Sequence, residues 1–227
     1  MKEVLDFLNE LAENNNRNWF QNNKNRYLKV QNKINDFALQ LIQGISEFDD
    51  SIKNIGVKDA TYRIYRDIRF SHDKRPYKTH IGIFVCPRGK KSGLSGYYFH
   101  VESDYSDFLS RSGLFVGLYN PESWMMQSIR EDIVSDGETF HNSVLAAANF
   151  TLDTSQKYVK IPKGFSENDK YADYIRLKSL SLWEPADKDI LFSDSLLDWV
   201  LKEFKTTYSF NTFINRAILF AMENGEY

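Results

Sequence analysis

Two neighbouring stretches decide the fold: Ile81-Gly82-Ile83-Phe84-Val85-Cys86 and Gly96-Tyr97-Tyr98-Phe99-His100-Val101-Glu102. The first is a short apolar run rich in β-branched residues, and the second is rich in aromatics, as strands are. Between them lies Pro87-Arg88-Gly89-Lys90-Lys91-Ser92-Gly93-Leu94-Ser95, a glycine- and lysine-rich connection that reads as an exposed hairpin loop. Strands this close in sequence, joined by a short polar turn, pair antiparallel rather than through a helical crossover. Residues 108–116 supply a further strand candidate, and residues 62–70 alternate in part. A mainly antiparallel central sheet is therefore expected.

The flanks read as helices. On the N-terminal side, Val4, Leu5, Leu8 and Leu11 recur at helical spacing over 4–13, and Asn14-Asn15-Asn16 stops the pattern. A longer pattern over 19–45 puts Phe20, Tyr27, Ile34, Phe37, Leu41 and Ile45 near one face. On the C-terminal side, Asn120-Pro121-Glu122 has the form of a helix start, a cap residue with proline at the first helical position. That helix is expected to break at Asp136-Gly137, with another over 138–148. Residues 158–161 suggest a strand. Leu196, Leu197, Val200, Leu201 and Phe204 form one late helical stripe, and Phe213, Ile214, Ala217, Ile218 and Ala221 form another. No repeat or low-complexity linker interrupts the 227 residues, so one α+β domain over 1–227 is expected: a helical N-terminus, a central antiparallel sheet and a helical C-terminal half.

Composition narrows the class. The chain is 42% hydrophobic and 26% charged, ordinary for a soluble globular protein, while 17 Phe and 13 Tyr favour a sheet with aromatic margins. No apolar run approaches the ~20 residues of a membrane span, and the acidic N-terminus carries no export signal. The one cysteine, Cys86, allows no intrachain disulfide and reads as a small buried hydrophobe. A cytoplasmic protein without membrane association is the expectation.

Charge is distributed unevenly. Residues 58–91 hold ten Lys/Arg against three Asp, a local +7 in a chain of net −2, so the remainder carries −9. The densest part is Arg63-Ile-Tyr-Arg66-Asp67-Ile-Arg69-Phe70-Ser-His-Asp-Lys74-Arg75-Pro-Tyr77-Lys78. The motif Arg63-x-x-Arg66-Asp67-x-Arg69-Phe70-x-x-x-Lys74-x-x-Tyr77 resembles that of a widespread, uncharacterised bacterial family with longer fungal members, catalogued as domain of unknown function 2461. The resemblance extends to Phe7-Leu-x-x-Leu11, Asn15-Asn16-Arg17-x-Trp19-Phe20, Gly96-Tyr-Tyr-Phe-His-Val, Asn120-Pro121-Glu122, Pro162-Lys-Gly-Phe165 and Ile175-Arg176-x-Lys178. Leu118-Tyr119 departs from it, since members often have more glycine there. The family has no assigned activity, so the resemblance implies a signature and no mechanism.

Arginine's planar fork suits bidentate binding of phosphate or carboxylate. Arg63, Arg66, Asp67, Arg69, Lys74, Tyr77, Lys78 and Arg176 are therefore the candidate ligand-binding residues, for a small anionic or phosphorylated compound. If 62–70 is a strand, Arg63, Asp67 and Arg69 share one face. Arg66 then points with Ile64, Ile68 and Phe70 and must be paired, while Asp67 orients Arg63 or Arg69. The competing reading is a structural salt-bridge hub in a non-catalytic interaction module that docks an acidic partner or nucleic acid. Nucleic acid is disfavoured by the negative net charge and a pI near 6.1. His100 and Glu102 share a face of their strand and are, with Tyr77, the candidates for proton transfer. No histidine shows metal-ligand spacing, and no metal or cofactor is expected. Arg88-Gly-Lys-Lys-Ser-Gly lacks the order of a phosphate-binding loop, and no nucleophile elbow or dinucleotide fingerprint occurs. The sequence specifies no reaction and no oligomeric state.

Overall fold

The 81–102 stretch forms the expected hairpin. β1 (His80–Val85) pairs antiparallel with β2 (Gly96–Glu102), placing Gly82 opposite His100 and Phe84 opposite Tyr98. The structure is a computed structural model that describes residues 1–106 and 108–225. β3 (Gly113–Leu118) continues the meander, with Phe115 opposite Tyr98. Two strands lie beyond it, β5 (Leu180–Pro185) antiparallel to β3 and the short β4 (Thr151–Leu152) at the edge, in the order β1-β2-β3-β5-β4.

The helices are α1 (Lys2–Glu13), α2 (Arg17–Asn22), α3 (Lys24–Ser46), α4 (Val57–Ala60), α5 (Ser123–Ala146), α6 (Ala172–Ile175), α7 (Lys188–Phe192), α8 (Leu196–Thr206) and α9 (Tyr208–Asn224). The fold class is thus α+β, with helices at both ends and the sheet between them. Among the described residues, no helix is long and apolar enough to cross a membrane.

Strand periodicity sorts the sheet into two unlike faces. Ile83, Val85, Tyr97, Phe99, Val101, Leu114, Val116, Leu180 and Leu182 are buried in the main core, where α1, α3, α8 and α9 pack on β1, β2 and β3. Each such side chain contributes roughly 1.5–3 kcal/mol of burial free energy. The opposite face carries Phe84, Tyr98, Phe115 and Trp183, all half-buried.

Five sequence expectations are corrected. Residues 62–70 form no strand. The segment 61–79 is an irregular arm held by single bridges at Thr61↔Ile83 and Tyr65↔Tyr77 and by Arg66 N–H to Pro76 O (3.0 Å) and Lys78 N–H to Ile64 O (2.8 Å). Clustered cations and Pro76 withhold the regular ladder that a strand needs.

Residues 158–161 are likewise irregular. Only a Lys157↔Leu177 bridge forms there, and Val159 is 96% exposed. The helix after β3 begins at Ser123 with Glu122 as N-cap, because Asn120 takes a left-handed turn (φ 52°) that asparagine tolerates. Finally, the expected 19–45 helix is two. Asn16 accepts from Trp19 N–H (3.0 Å) to start α2, and the Asn23 side chain donates to Trp19 O (3.0 Å) to end it. Short amide side chains compete with the helix for its own backbone groups. The third strand starts at Gly113 rather than 108, since the N–H groups of Phe108 and Leu109 turn onto Glu102 instead. α5 has its kink where the Asp-Gly pair foretold it, at Asp136 (φ −142°, ψ 43°).

Candidate functional site

The sheet face that carries Phe84, Tyr98, Phe115 and Trp183, the 61–79 arm and Tyr27, Gln31, Ile34 and Asn35 of α3 line a cleft of about 780 Å³, within the range of small-molecule sites. Phe84, Tyr98, Phe115 and Trp183 line its floor, and Tyr62, Arg63, Arg66, Lys78 and Lys90 line its rim. The arm reaches this position because Thr61 bridges to Ile83 and sets Tyr62 and Arg63 beside β1. Lys78, two residues before His80, points to the same side as Gly82 and Phe84 by strand alternation.

Two amide clamps fix the flanks. Asn15 donates to Tyr77 O (2.9 Å) and accepts from Tyr77 N–H (3.1 Å). Asn215 does the same to Ser95, accepting from its N–H (2.8 Å) and donating to its O (3.0 Å). Each clamp satisfies both the N–H and the C=O of one residue, Tyr77 or Ser95, which is what buried backbone requires.

The cationic cluster divides in two. At the arm's tip the charges pair among themselves. Asp73 takes both Arg66 and Arg75, the latter at 2.7 Å, and Asp67 takes Arg69 through two bonds of 2.9 and 2.6 Å. Lys74 donates to Ile68 O (3.1 Å). Arg69 holds the Asp67 carboxyl at about 2. At the arm's base, Arg63 and Lys78 line the cleft and form no ion pair among the described residues. Burial, then repulsion from Arg63, pulls the Lys78 ammonium below its usual value. The rings add to this: Lys78 and Lys90 lie 5.4 and 5.7 Å from the centroid of Tyr62.

Of the other candidates, Arg66 is 25% exposed, so its expected burial is partial, and it borders the cleft beside Asp67. Arg69 and Lys74 do not line the cleft. Tyr77 is 3% exposed and stacks on Phe20 at 4.0 Å, in the core of the arm's base. Arg176 lies outside the cleft, bound by Glu167 and Asp173.

His100 and Glu102 are brought together, and Tyr98, which sequence reasoning missed, joins them. Tyr98 Oη lies 3.0 Å from His100 Nδ1, and His100 Nε2 lies 3.1 Å from Glu102 Oε2. Burial pushes the Glu102 carboxyl up, but hydrogen bonds from His100, Ser106 and the Leu109 N–H outweigh it and hold it at about 2. Both ring nitrogens are thus engaged: Nε2 can donate to that carboxylate, and the tautomer with its hydrogen there would accept the Tyr98 hydroxyl hydrogen at Nδ1. His80 stacks on Phe108 at 4.2 Å, and burial, with His100 and Lys78 nearby, lowers its pKa to about 4. The signal for this chain was the i, i+2, i+4 spacing of Tyr98, His100 and Glu102, which puts all three on one strand face.

Among the described residues, no group of three or more His, Cys, Asp or Glu is placed to hold a metal. Cys86 is buried and its thiol is raised to about 11 by that burial, a state unsuited to a nucleophile.

The model of the family described as "Conserved hypothetical protein (DUF2461)" matches residues 3–213 of the chain. No curated protein and no solved structure matches it.

Proposed function

The chain belongs to that conserved hypothetical family, and from this premise we propose that it is a cytoplasmic domain that binds or acts on a small anionic or phosphorylated ligand in the cleft. The observation that carries this reading is the pair Arg63 and Lys78. Two like charges line one concave site without an ion pair of their own among the described residues, the nearby Asp67 being bound to Arg69, and the Lys78 ammonium is already disfavoured by burial and by Arg63. An incoming anion relieves both costs at once, and charge-assisted hydrogen bonds are roughly twice as strong as neutral ones. Arg66, shared between Asp73 and the cleft, supplies a third cation at the rim. The self-paired arginines of the tip then serve to shape the arm.

Mass action tests this. Sulfate or phosphate is expected to raise the melting temperature of the wild type and to do so much less in Arg63→Ala/Lys78→Ala, with chloride at matched ionic strength as the control for general salt effects. Equal responses of both proteins to both salts reject the anion site.

The tip itself favours a second reading, a non-catalytic interaction module. Phe70 is 94% exposed there, with the Arg69 guanidinium 5.8 Å from its ring centroid. Phe70→Ser then abolishes partner capture while leaving the sulfate response intact.

A further inference from the structure

The floor of the cleft has an order that the cations do not explain. Phe84 is opposite Tyr98, Tyr98 opposite Phe115, and Phe115 opposite Trp183, so four aromatic side chains form one row across four strands. At ~4.8 Å between strands the row is about 14 Å long. Glycine flanks it on both sides. Gly82 and Gly113 lie opposite His100 in the row on one side, and Gly96 pairs with Gly117 in the row on the other.

These glycines clear the space around the rings. At Gly82 a Cβ would sit 2.2 Å from Tyr98 Oη, so only glycine lets the tyrosine ring lie down over β1. Gly117 has φ 114°, and a Cβ there would meet Leu180 O at 2.2 Å. A sheet face meant for packing against other elements fills such rows with branched side chains. Here the helices cover the other face, and the aromatic row stays half-buried above an open volume of about 780 Å³. At the end of the row the Arg111 guanidinium lies 4.0 Å from the Trp183 ring centroid, a cation held by that ring.

We infer that the cleft takes a planar aromatic anion, its ring laid on the row Phe84–Tyr98–Phe115–Trp183 and its charged group between Arg63 and Lys78. The two subsites adjoin, because Thr61 bridges to Ile83 and brings Arg63 alongside β1, the strand that carries Phe84. The inference rests on the anion reading above and narrows it to one ligand class, which includes aromatic phosphates and nucleotides.

Calorimetric titration of the full chain with methyl phosphate, phenyl phosphate and adenosine 5′-monophosphate tests it. Stacking on aromatic side chains is worth roughly five- to a hundredfold in affinity per ring. At least one of the two aromatic phosphates is therefore expected to bind about fivefold or more tighter than methyl phosphate. Phe115→Leu, which keeps apolar bulk but removes a ring face, is expected to erase that margin and leave methyl phosphate unchanged. Arg63→Ala is expected to weaken all the probes that bind. Equal affinity for the three phosphates overturns the aromatic assignment and leaves the anion site standing. An aromatic margin that survives Phe115→Leu overturns the floor assignment. Absence of binding by all three, or indifference to Arg63→Ala, overturns both.

Discussion

Three residues pull the pH response in two directions: Glu102 and His80 cost stability as pH falls, and Glu184 costs it as pH rises. Glu102 is held at about 2, below its usual 4.5. Its contribution, on the order of 3 kcal/mol, is complete above pH ~4.5 and lost as pH falls toward 2. His80 is lowered from 6.5 to about 4. The unfolded chain takes its proton first, so His80 costs stability progressively as pH falls from ~6.5 to ~4. Glu184 behaves in the opposite sense. Burial, then Glu203, raises its carboxyl from 4.5 to about 7, and its Oε2 has no hydrogen-bond partner among the described residues. The folded state holds that proton where the unfolded state has released it, so stability is lost as pH rises from ~4.5 to ~7. Glu184→Gln is therefore expected to raise the melting temperature at about pH 8 and to change it little at about pH 5, as read by circular dichroism. A drop at the higher pH removes the assignment. The arm gives a second residue-scale outcome. Arg66 and Arg75 share Asp73 and are 25% and 44% exposed. Their alanine variants are expected to lie within about 1 kcal/mol of each other in stability, as partly exposed ion pairs do. A far larger loss for Arg66→Ala restores the strand-like burial that alternation suggested.

At the scale of elements, the arm owes its place to few interactions. Tyr65↔Tyr77 and Thr61↔Ile83 are single bridges, so the Asn15 clamp and the Phe20–Tyr77 stack at 4.0 Å do most of the anchoring. Asn15→Ala strands two backbone groups of a buried residue, at about 1–3 kcal/mol for the unmade bonds. It is expected to lower stability by about 2–3 kcal/mol and to speed amide exchange in 61–79 before the rest of the sheet. Exchange unchanged in the arm and fast elsewhere contradicts this anchoring. Most elements themselves were readable beforehand. The β1–β2 hairpin, α1, α8, α9 and the α5 kink at Asp136 follow from period and turn chemistry, because each makes its pattern locally. β5 and β4 were not found. Leu180-Ser-Leu-Trp-Glu-Pro alternates over six residues only, and β4 has two. Such strands exist because a neighbouring edge pairs with them.

At the scale of the molecule, one apolar cluster runs from Val4 of α1 through the sheet to Ile218 of α9. A core shared by both helical flanks and the sheet leaves no unit to unfold alone. A single thermal transition with equal calorimetric and van't Hoff enthalpies is the expected outcome, and two resolved transitions disprove the one-domain reading. Helices cover one face of the sheet, so whatever the protein binds in the cleft meets the other.

The sequence by itself determined the α+β class, the central antiparallel hairpin, the terminal helices and the +7 concentration of charge in 58–91. All of these depend on residues near one another in the chain. It also marked His100 and Glu102 as neighbours on one strand face. Only the tertiary structure decided which cations stay unpaired. Composition assigns Arg63, Arg66, Arg69 and Arg75 the same chemistry, and pairing depends on where the arm folds back on Asp67 and Asp73. Tertiary structure likewise joined Phe84, Tyr98, Phe115 and Trp183 into one row. The glycine two residues before an aromatic is present in three of those strands, at Gly82, Gly96 and Gly113. Register between strands is a long-range property, fixed by which edges meet and not by any one segment's pattern.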